Sequence, residues 1–513
     1  MASIAQPYSD IKEHLRVLVI LLSTAIVLLL VSSLKARKKS PLPLVNGNSW
    51  TDPLGIEAKK RFMTSARSII AGQLEKAPGK PFRVVSDVGE LVVLPPDFAP
   101  EIRNHKDFSF TMAAYKWFYA HLPGMEGFRE GTAESQIMKL VARHQLTHQL
   151  TVVTAPVAEE SARALRDIFG CDEGWRELSV RSACLRVIAR VSSRIFLGQE
   201  LCRNPDWLRV TSTYSVLAFK AVVALRFWPA PLRNVVHWVL PACKAARDLV
   251  QEARDLVNPL LLERNQERRA QAKGESVLYR NDAIDWLEEL ATDKNLNYDP
   301  AASQLYLSTA ALHSSTDFFA QLLLDLAERP SLAEELRQEA AKVVSTEGWS
   351  KGSLFDLKLM DSVMKESQRL KPISLASMRR YTTADVKMSS GDIIPKGSLT
   401  VVSAYRHWDE KTYERPDEFD GHRFLKMRSQ AGKQHQAHLV SATQDHFGFG
   451  YGLHACPGRF FAAEEVKIVL AQMLLQYEIR LVEGSDSRPV TAGLNMYANP
   501  SSKISVRYRG SSF

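Results

Sequence analysis

The segment Phe449-Gly450-Tyr451-Gly452-Leu453-His454-Ala455-Cys456-Pro457-Gly458-Arg459 concentrates residues with chemical potential. It carries the spacing F-x-x-G-x-x-x-C-x-G, which a chain of ordinary composition matches by chance about once in a thousand or less. Its types suit a cysteine thiolate bound to a metal inside a flat cofactor. Glycines let the main chain pass close to a macrocycle. Backbone N–H groups around a thiolate hydrogen-bond the sulfur and restrain its basicity. A helix opening after Pro457 would aim its positive end at the same atom. The competing reading is a buried structural cysteine, the ordinary state of an unpaired thiol. The chain has four other cysteines, Cys171, Cys184, Cys202 and Cys243. Five in all, odd in number and without a C-x-x-C pair, they exclude a disulfide scaffold and a cysteine-zinc module.

Upstream lie Glu366-Ser-Gln-Arg369, then Pro416-Asp-Glu-Phe419 and Arg423-Phe424. An E-x-x-R pair alone is a common surface salt bridge on a helix. In this order before Cys456, the three segments closely resemble the cytochrome P450 family, the haem-thiolate monooxygenases. The resemblance extends over nearly the whole chain. It implies that Cys456 is the proximal ligand of a haem b iron, with Phe449, Gly450, Gly452 and Gly458 along the cofactor. It also implies that Glu366, Arg369 and Arg423 form a buried carboxylate–guanidinium cluster bracing that loop. A cysteine thiolate donates electron density that favours O–O cleavage.

The family's oxygen-side helix matches Ala310-Ala311-Leu312-His313-Ser314-Ser315-Thr316. Ala310 and Ala311 would leave room for O2. Ser314 stands where the family has a threonine, and His313 replaces its acid. The resemblance assigns catalytic proton handling to Ser314, His313 and Ser315. The alternatives are a packed helix histidine and serines bonded back to their own helix. Propionate partners implied by position are His454, Arg380 and Arg143. The usual W-x-x-x-R lacks its tryptophan here, and Arg379 beside Arg380 leaves that register open.

The family's pocket segments map to Tyr115, Trp117 and Phe118, to Ala310 and Ala311, to Ile373, Ser374 and Leu375, and to Leu494 and Asn495. Their apolar, aromatic lining implies a bulky lipophilic substrate. The A-C-P-G-R-F-F-A loop with the His-Ser-Ser helix resembles fungal natural-product hydroxylases. That implies a polycyclic terpenoid: a diterpenoid, an indole diterpenoid or a meroterpenoid. The implied reaction is C–H hydroxylation or further oxidation with O2. Electrons would come from NADPH through a separate flavoprotein reductase. The rivals are a haem-thiolate isomerase or dehydratase needing no reductase, and a non-catalytic membrane-bound haem sensor.

The positioning elements read as mainly α with small β-sheets, the cytochrome P450 fold, preceded by one N-terminal transmembrane helix. Val17–Leu34 is an uncharged apolar run just long enough to span, followed by Lys35, Arg37, Lys38 and Lys39. Basic residues after the run favour an anchor over a cleaved signal and put the body in the cytosol. The expected arrangement is a lumenal 1–16, an anchor 17–34, a basic Pro-containing hinge 35–55 and a catalytic domain 56–513, in the endoplasmic-reticulum membrane. Net charge is +9, but beyond residues 35–39 both signs are mixed, so no nucleic-acid partner is expected.

Further along, Glu57–Glu75 reads as a helix and Pro81–Leu94 as a hairpin. Residues 108–128 read as an aromatic loop. Helical patterns cover 136–199 and 207–262, the latter broken at Pro229, Pro231 and Pro241. Ala301–Glu328 reads as one long helix. Ser331 with Glu334 reads as a capping box opening the next. Asp361–Leu370 and Phe461–Gln476 are further helices, with closing strands near Tyr477–Leu481 and Ile504–Tyr508.

Overall fold

A computed structural model describes residues 40–47, 52, 55–271, 273, 274 and 280–510, together with residue 23. The expected anchor, apart from Ser23, and its basic flank 35–39 lie outside these residues; the expected hinge is described only at 40–47, 52 and 55.

The first elements are helix α1 (Ile56–Lys76) and strands β1 (Phe82–Ser86) and β2 (Gly89–Leu94). The hairpin is as read, turning at Gly89 with φ 107°. Phe108 to Phe128 is not a plain loop. It holds a short strand β3 (Phe108–Ser109), helix α2 (Phe110–Trp117) and helix α3 (Glu126–Gly131). The signal for α2 was present: Ser109 caps it, accepting from Met112 N at 3.1 Å. The helical pattern over 136–199 is interrupted. Helix α4 (Leu150–Phe169) ends at Gly170, with φ 88°. Strand β4 (Arg176–Ser179) then precedes helix α5 (Val180–Phe196).

Helix α6 (Pro205–Arg226) and helix α7 (Pro241–Gln271) flank the Pro229–Pro231 break. Pro241 does not interrupt a helix but begins one, where its missing N–H costs nothing. By length and composition α6 alone, among the described residues, is apolar enough to cross a membrane. Trp207, Val210, Tyr214, Ala218 and Val222 on it are buried in the protein interior, as on a core helix.

Helix α8 (Ala283–Lys294) precedes the central helix α9 (Pro300–Ala327). Asp299 caps α9 by accepting from Ala302 N at 3.1 Å. Helix α10 (Pro330–Glu347) follows. Here the expected capping box is absent. Pro330, with φ preset for the first helical position, makes Arg329 the cap and places Ser331 inside the first turn. Glu334 pairs instead with Arg337 one turn on. Helix α11 (Lys358–Leu370) stops before Pro372, and helix α12 (Arg459–Gln476) starts just after Cys456.

The remaining strands are β5 (Ala376–Thr382), β6 (Val386–Lys387), β7 (Ile393–Ile394), β8 (Leu399–Ser403), β9 (Tyr477–Leu481), β10 (Val490–Ala492), β11 (Asn495–Tyr497) and β12 (Lys503–Tyr508). A five-stranded sheet runs β1-β2-β8-β5-β3, parallel only between β2 and β8. A second sheet sets β12 between β4 and β9. The main core gathers α4, α5, α9, α10, α11 and α12. Fully buried Phe319, Leu322, Leu323 and Leu326 of α9 lie in it. Each such side chain contributes about 1.5–3 kcal/mol by leaving water.

Candidate active site

The Cys456 loop is wound by local hydrogen bonds. Gly450 N donates to Phe447 O at 2.9 Å, Cys456 N to Phe449 O at 2.8 Å, and Ala455 N to Gly452 O at 3.0 Å. Arg103 Nη1 donates to Tyr451 Oη at 2.8 Å, and Leu453 N to Asn104 Oδ1 at 2.9 Å, tying the loop to the first sheet's end. At Gly452, φ is 78° and a Cβ would sit 2.4 Å from Arg103 Cβ. Alanine there is expected to cost about 2–4 kcal/mol, from the left-handed backbone plus overpacking. A thermal melt of Gly452→Ala that matches wild type would refute this. Cys456 is partly accessible. Burial pushes its thiol up, while the Gly458 N–H and the Arg459 guanidinium favour the thiolate.

Glu366 and Arg369 are fully buried on α11. Arg369 donates in parallel to the carboxylate, Nε to Oε2 and Nη2 to Oε1, both at 2.9 Å. Arg423 Nε reaches both oxygens at 3.1 Å. The fold brings these three residues together. The resemblance did not supply the link to the cysteine. Arg369 Nη1 donates to the carbonyls of Pro416 and His407. The His407 ring donates from Nδ1 to Arg369 O at 3.1 Å and accepts Phe447 N on Nε2 at 2.9 Å. Burial, reinforced by Arg369, pushes His407 down to about 3, so it is neutral as this double role requires. Glu366–Arg369–His407–Phe447 is a continuous brace ending at the cysteine loop. A lone histidine in an irregular stretch gave no sequence signal of this.

Helix α9 is buried along most of its length but open at Tyr306, Ala310, Ala311, His313 and Ser314. The three expected proton-handling residues meet three different surroundings. Ser314 Oγ donates to Ala310 O at 3.1 Å, within its own helix. His313 lies edge-on to Phe219 with centroids 5.9 Å apart, its Nε2 buried and unpartnered. Burial, with Arg181 nearby, pushes it down to about 4. Ser315 turns away from the open face toward Glu465 of α12, which also accepts from Ser192 Oγ at 2.6 Å. Burial pushes Glu465 up to about 8. Phe219, Tyr306 and Glu465 were not singled out from the sequence.

The pocket segments assemble in part. Leu375 N donates to Leu494 O at 2.8 Å, Met496 N to Ile373 O at 2.9 Å, and Ser374 bridges Asn495. Trp117, Leu375 and Leu494 share one apolar cluster, with Phe118 packed against it. Phe118 also stacks on Phe128 at 4.5 Å. Tyr115 instead faces a separate cavity with Trp117.

Strand alternation separates the two neighbouring arginines. Arg380 is buried beside the Phe110 ring at 5.9 Å, and His454 stacks on that ring at 5.5 Å. Arg380 Nε and Nη2 have no partner and are available to a carboxylate. Arg379 lies over Trp117 at 4.9 Å, toward Arg226. Arg143 is exposed on a π-helical turn, Val141–Gln145. Lys139, four residues earlier where the family has tryptophan, acts electrostatically on both Arg143 and His454. The i−4 spacing was its only sequence signal.

A family profile described as Cytochrome P450 matches residues 71–508. Cytochrome P450 monooxygenase 1 of Gibberella fujikuroi is 60% identical over 435 residues, 84% of this chain and 98% of the relative. Cytochrome P450 monooxygenase hepE of Aspergillus oryzae is 41% identical over 474 residues, 92% and 86% of the two chains. Among solved structures, the retinoic acid-bound cyanobacterial CYP120A1 shares the fold, with a TM-score of 0.64 at 17% identity. It covers 91% of this chain and 99% of the other. The chain belongs to the cytochrome P450 family and is a cytochrome P450 monooxygenase.

Proposed function

We propose that the protein oxidises C–H bonds of a bulky lipophilic natural product in fungal secondary metabolism, a polycyclic terpenoid in the first instance. One observation carries the site. A cysteine loop wound close on glycines faces the same interior as a buried arginine with unpartnered donors. That donor set fits a metalloporphyrin, with sulfur for the iron and cations for the propionates. Cys456 would hold the iron of haem b, and the bound group supplies O2 activation with NADPH-derived electrons from a separate reductase. Arg380 and His454 would hold the propionates, with Arg143 and Lys139 adding positive charge. Ala310 and Ala311 keep the central helix clear above the site. Ser314 would hold water there once its hydroxyl leaves the Ala310 carbonyl. Phe118, Leu375 and Leu494 would exclude water around the substrate skeleton.

The Val17–Leu34 run supports a single-pass anchor in the endoplasmic reticulum with the 56–513 domain in the cytosol. Exposed Phe227, Val235, Trp238 and Val239 support contact with the same membrane. In the Cys456→Ser variant the red-shifted ferrous–CO band is expected to disappear; its persistence would show that another residue is the ligand. Product formation without NADPH would replace the oxygenase by an isomerase. Substrate-accumulation profiling in a strain lacking the protein tests the terpenoid, which a non-terpenoid accumulating compound would overturn.

A further inference from the structure

Outside the cysteine site, a cavity of about 380 Å³ opens between α2, the end of α6, the 230–234 connection and the first hairpin. Its walls include Lys116, Trp117, Tyr119, Arg226, Arg233 and Asn234. Three cations therefore line one small space. Arg226 is the most enclosed, with its side chain 9% exposed. Its Nη1 meets Asp87, its Nη2 reaches Trp117 O at 3.3 Å, and its Nε is buried without a partner. Arg233 Nε donates to the carbonyls of Leu225 at 3.1 Å and Trp228 at 3.0 Å. Its guanidinium lies 5.1 Å from the Tyr119 ring centre. Lys116 Nζ lies over the Tyr381 ring at 4.9 Å. Arg379 stands behind the wall on Trp117, its Nε also buried and unpartnered.

Asp87 is the carboxylate set against Arg226 and Arg379. One carboxylate does not balance this many guanidiniums, and enclosed charges are normally paired. Burial accordingly pulls Arg226 and Arg379 below the ordinary arginine range. Tyr119, held at φ 51°, presents its hydroxyl among the same cations. Next in the chain to Arg226 and Asn234, Phe227 and Val235 are 70% and 66% exposed.

We propose that this cavity is a binding site for the acid group of an amphiphile, a carboxylate carried on an apolar body. The guanidiniums of Arg226 and Arg233 and the Lys116 ammonium would take the oxygens through charge-assisted hydrogen bonds. The aromatic wall of Tyr115 and Trp117 would take the skeleton. Occupancy of the cavity is read by binding without turnover, so the outcome does not depend on the reaction at Cys456.

The test uses the full-length, haem-loaded protein with dodecanoate and 1-dodecanol, which differ in the acid group alone. Binding is followed by calorimetry and by tryptophan fluorescence. The ferrous–CO spectrum of each variant confirms an intact cysteine site. The carboxylate is expected to bind about tenfold more tightly than the alcohol, a margin that shrinks as salt rises and screens the cations. In the double variant Lys116→Gln, Arg233→Gln, neither residue of which touches the cysteine loop, the margin is expected to fall below about threefold, with little change for the alcohol. Lys116→Gln alone, at an exposed position, gives a smaller loss in the same direction if the double variant folds poorly. Equal affinities in wild type, or an undiminished preference in the double variant, would overturn the proposal. Tighter binding to vesicles containing phosphatidylserine than to phosphatidylcholine alone, with no dodecanoate preference, would overturn it in favour of a lipid headgroup.

Discussion

Arg369→Lys is expected to leave little folded protein. The side chain holds both Glu366 oxygens at 2.9 Å and the carbonyls of Pro416 and His407 at once. A planar guanidinium can make these contacts together because its donors are spread over three nitrogens. A lysine ammonium is a point charge and cannot reach both ends. The result is a fully buried carboxylate short of partners and two orphaned carbonyls. Losing one partner of a buried pair costs about 3–5 kcal/mol, against about 5–15 kcal/mol for a whole domain. Soluble yield and melting temperature give the readout. Lys60→Gln, which removes a pair exposed on both sides, should change neither. A lysine variant that melts like wild type would mean the cluster is not what braces the loop.

Glu465→Gln is expected to flatten the dependence of stability on pH above pH 5. The carboxyl is completely buried and pushed up to about 8 from an ordinary value of 4.5. The groups opposing burial are hydroxyls, on Ser192 and Ser315. Because the folded state holds this proton more tightly, the stability it confers is complete below about pH 4.5. It drains away as pH rises toward 8, where the buried group must ionise. At 1.36 kcal/mol per unit of pKa shift, the loss across that window is about 3–5 kcal/mol. Glutamine keeps the hydrogen bond to Ser192 and has nothing to titrate. Other raised carboxyls, such as Glu339 and Glu464, are unchanged in the variant, so the difference between the two proteins isolates this one. Melts at pH 5.5, 7.0 and 8.5 should show wild type losing ground to the variant as pH rises. A constant offset would refute the assignment.

What the sequence made legible follows from how local each signal is. The cysteine loop is contiguous, and the positive φ of Gly450 and Gly452 is demanded by its own winding, so its pattern was readable locally. Glu366, Arg369 and Arg423 were readable because a helical i,i+3 pair and a later arginine keep a fixed order. His407 was not, because its role comes from bridging two segments that meet only in the folded chain. Ser314 and Ser315 show the limit of register. Adjacent helix positions diverge by about 100°, so one faces the open site and the other Glu465. The aromatic stretch after Phe108 read as a loop because its ring-rich composition obscured the Ser109 cap. The Ser331 box failed because Pro330 moved the cap two residues back, to Arg329. Arg379 and Arg380 were separable only once the strand gave each a side.

The pairing of 373–375 with 494–496 has a consequence in time. One wall of the pocket is a joint between segments made far apart in synthesis, and β12 then locks β4 from still later sequence. At about 5–20 residues per second, the cysteine loop is complete seconds before its pocket can close. During that interval the interior beside the cysteine loop lacks the wall that 494–496 supplies. Any slowing of synthesis beyond residue 456 lengthens that interval.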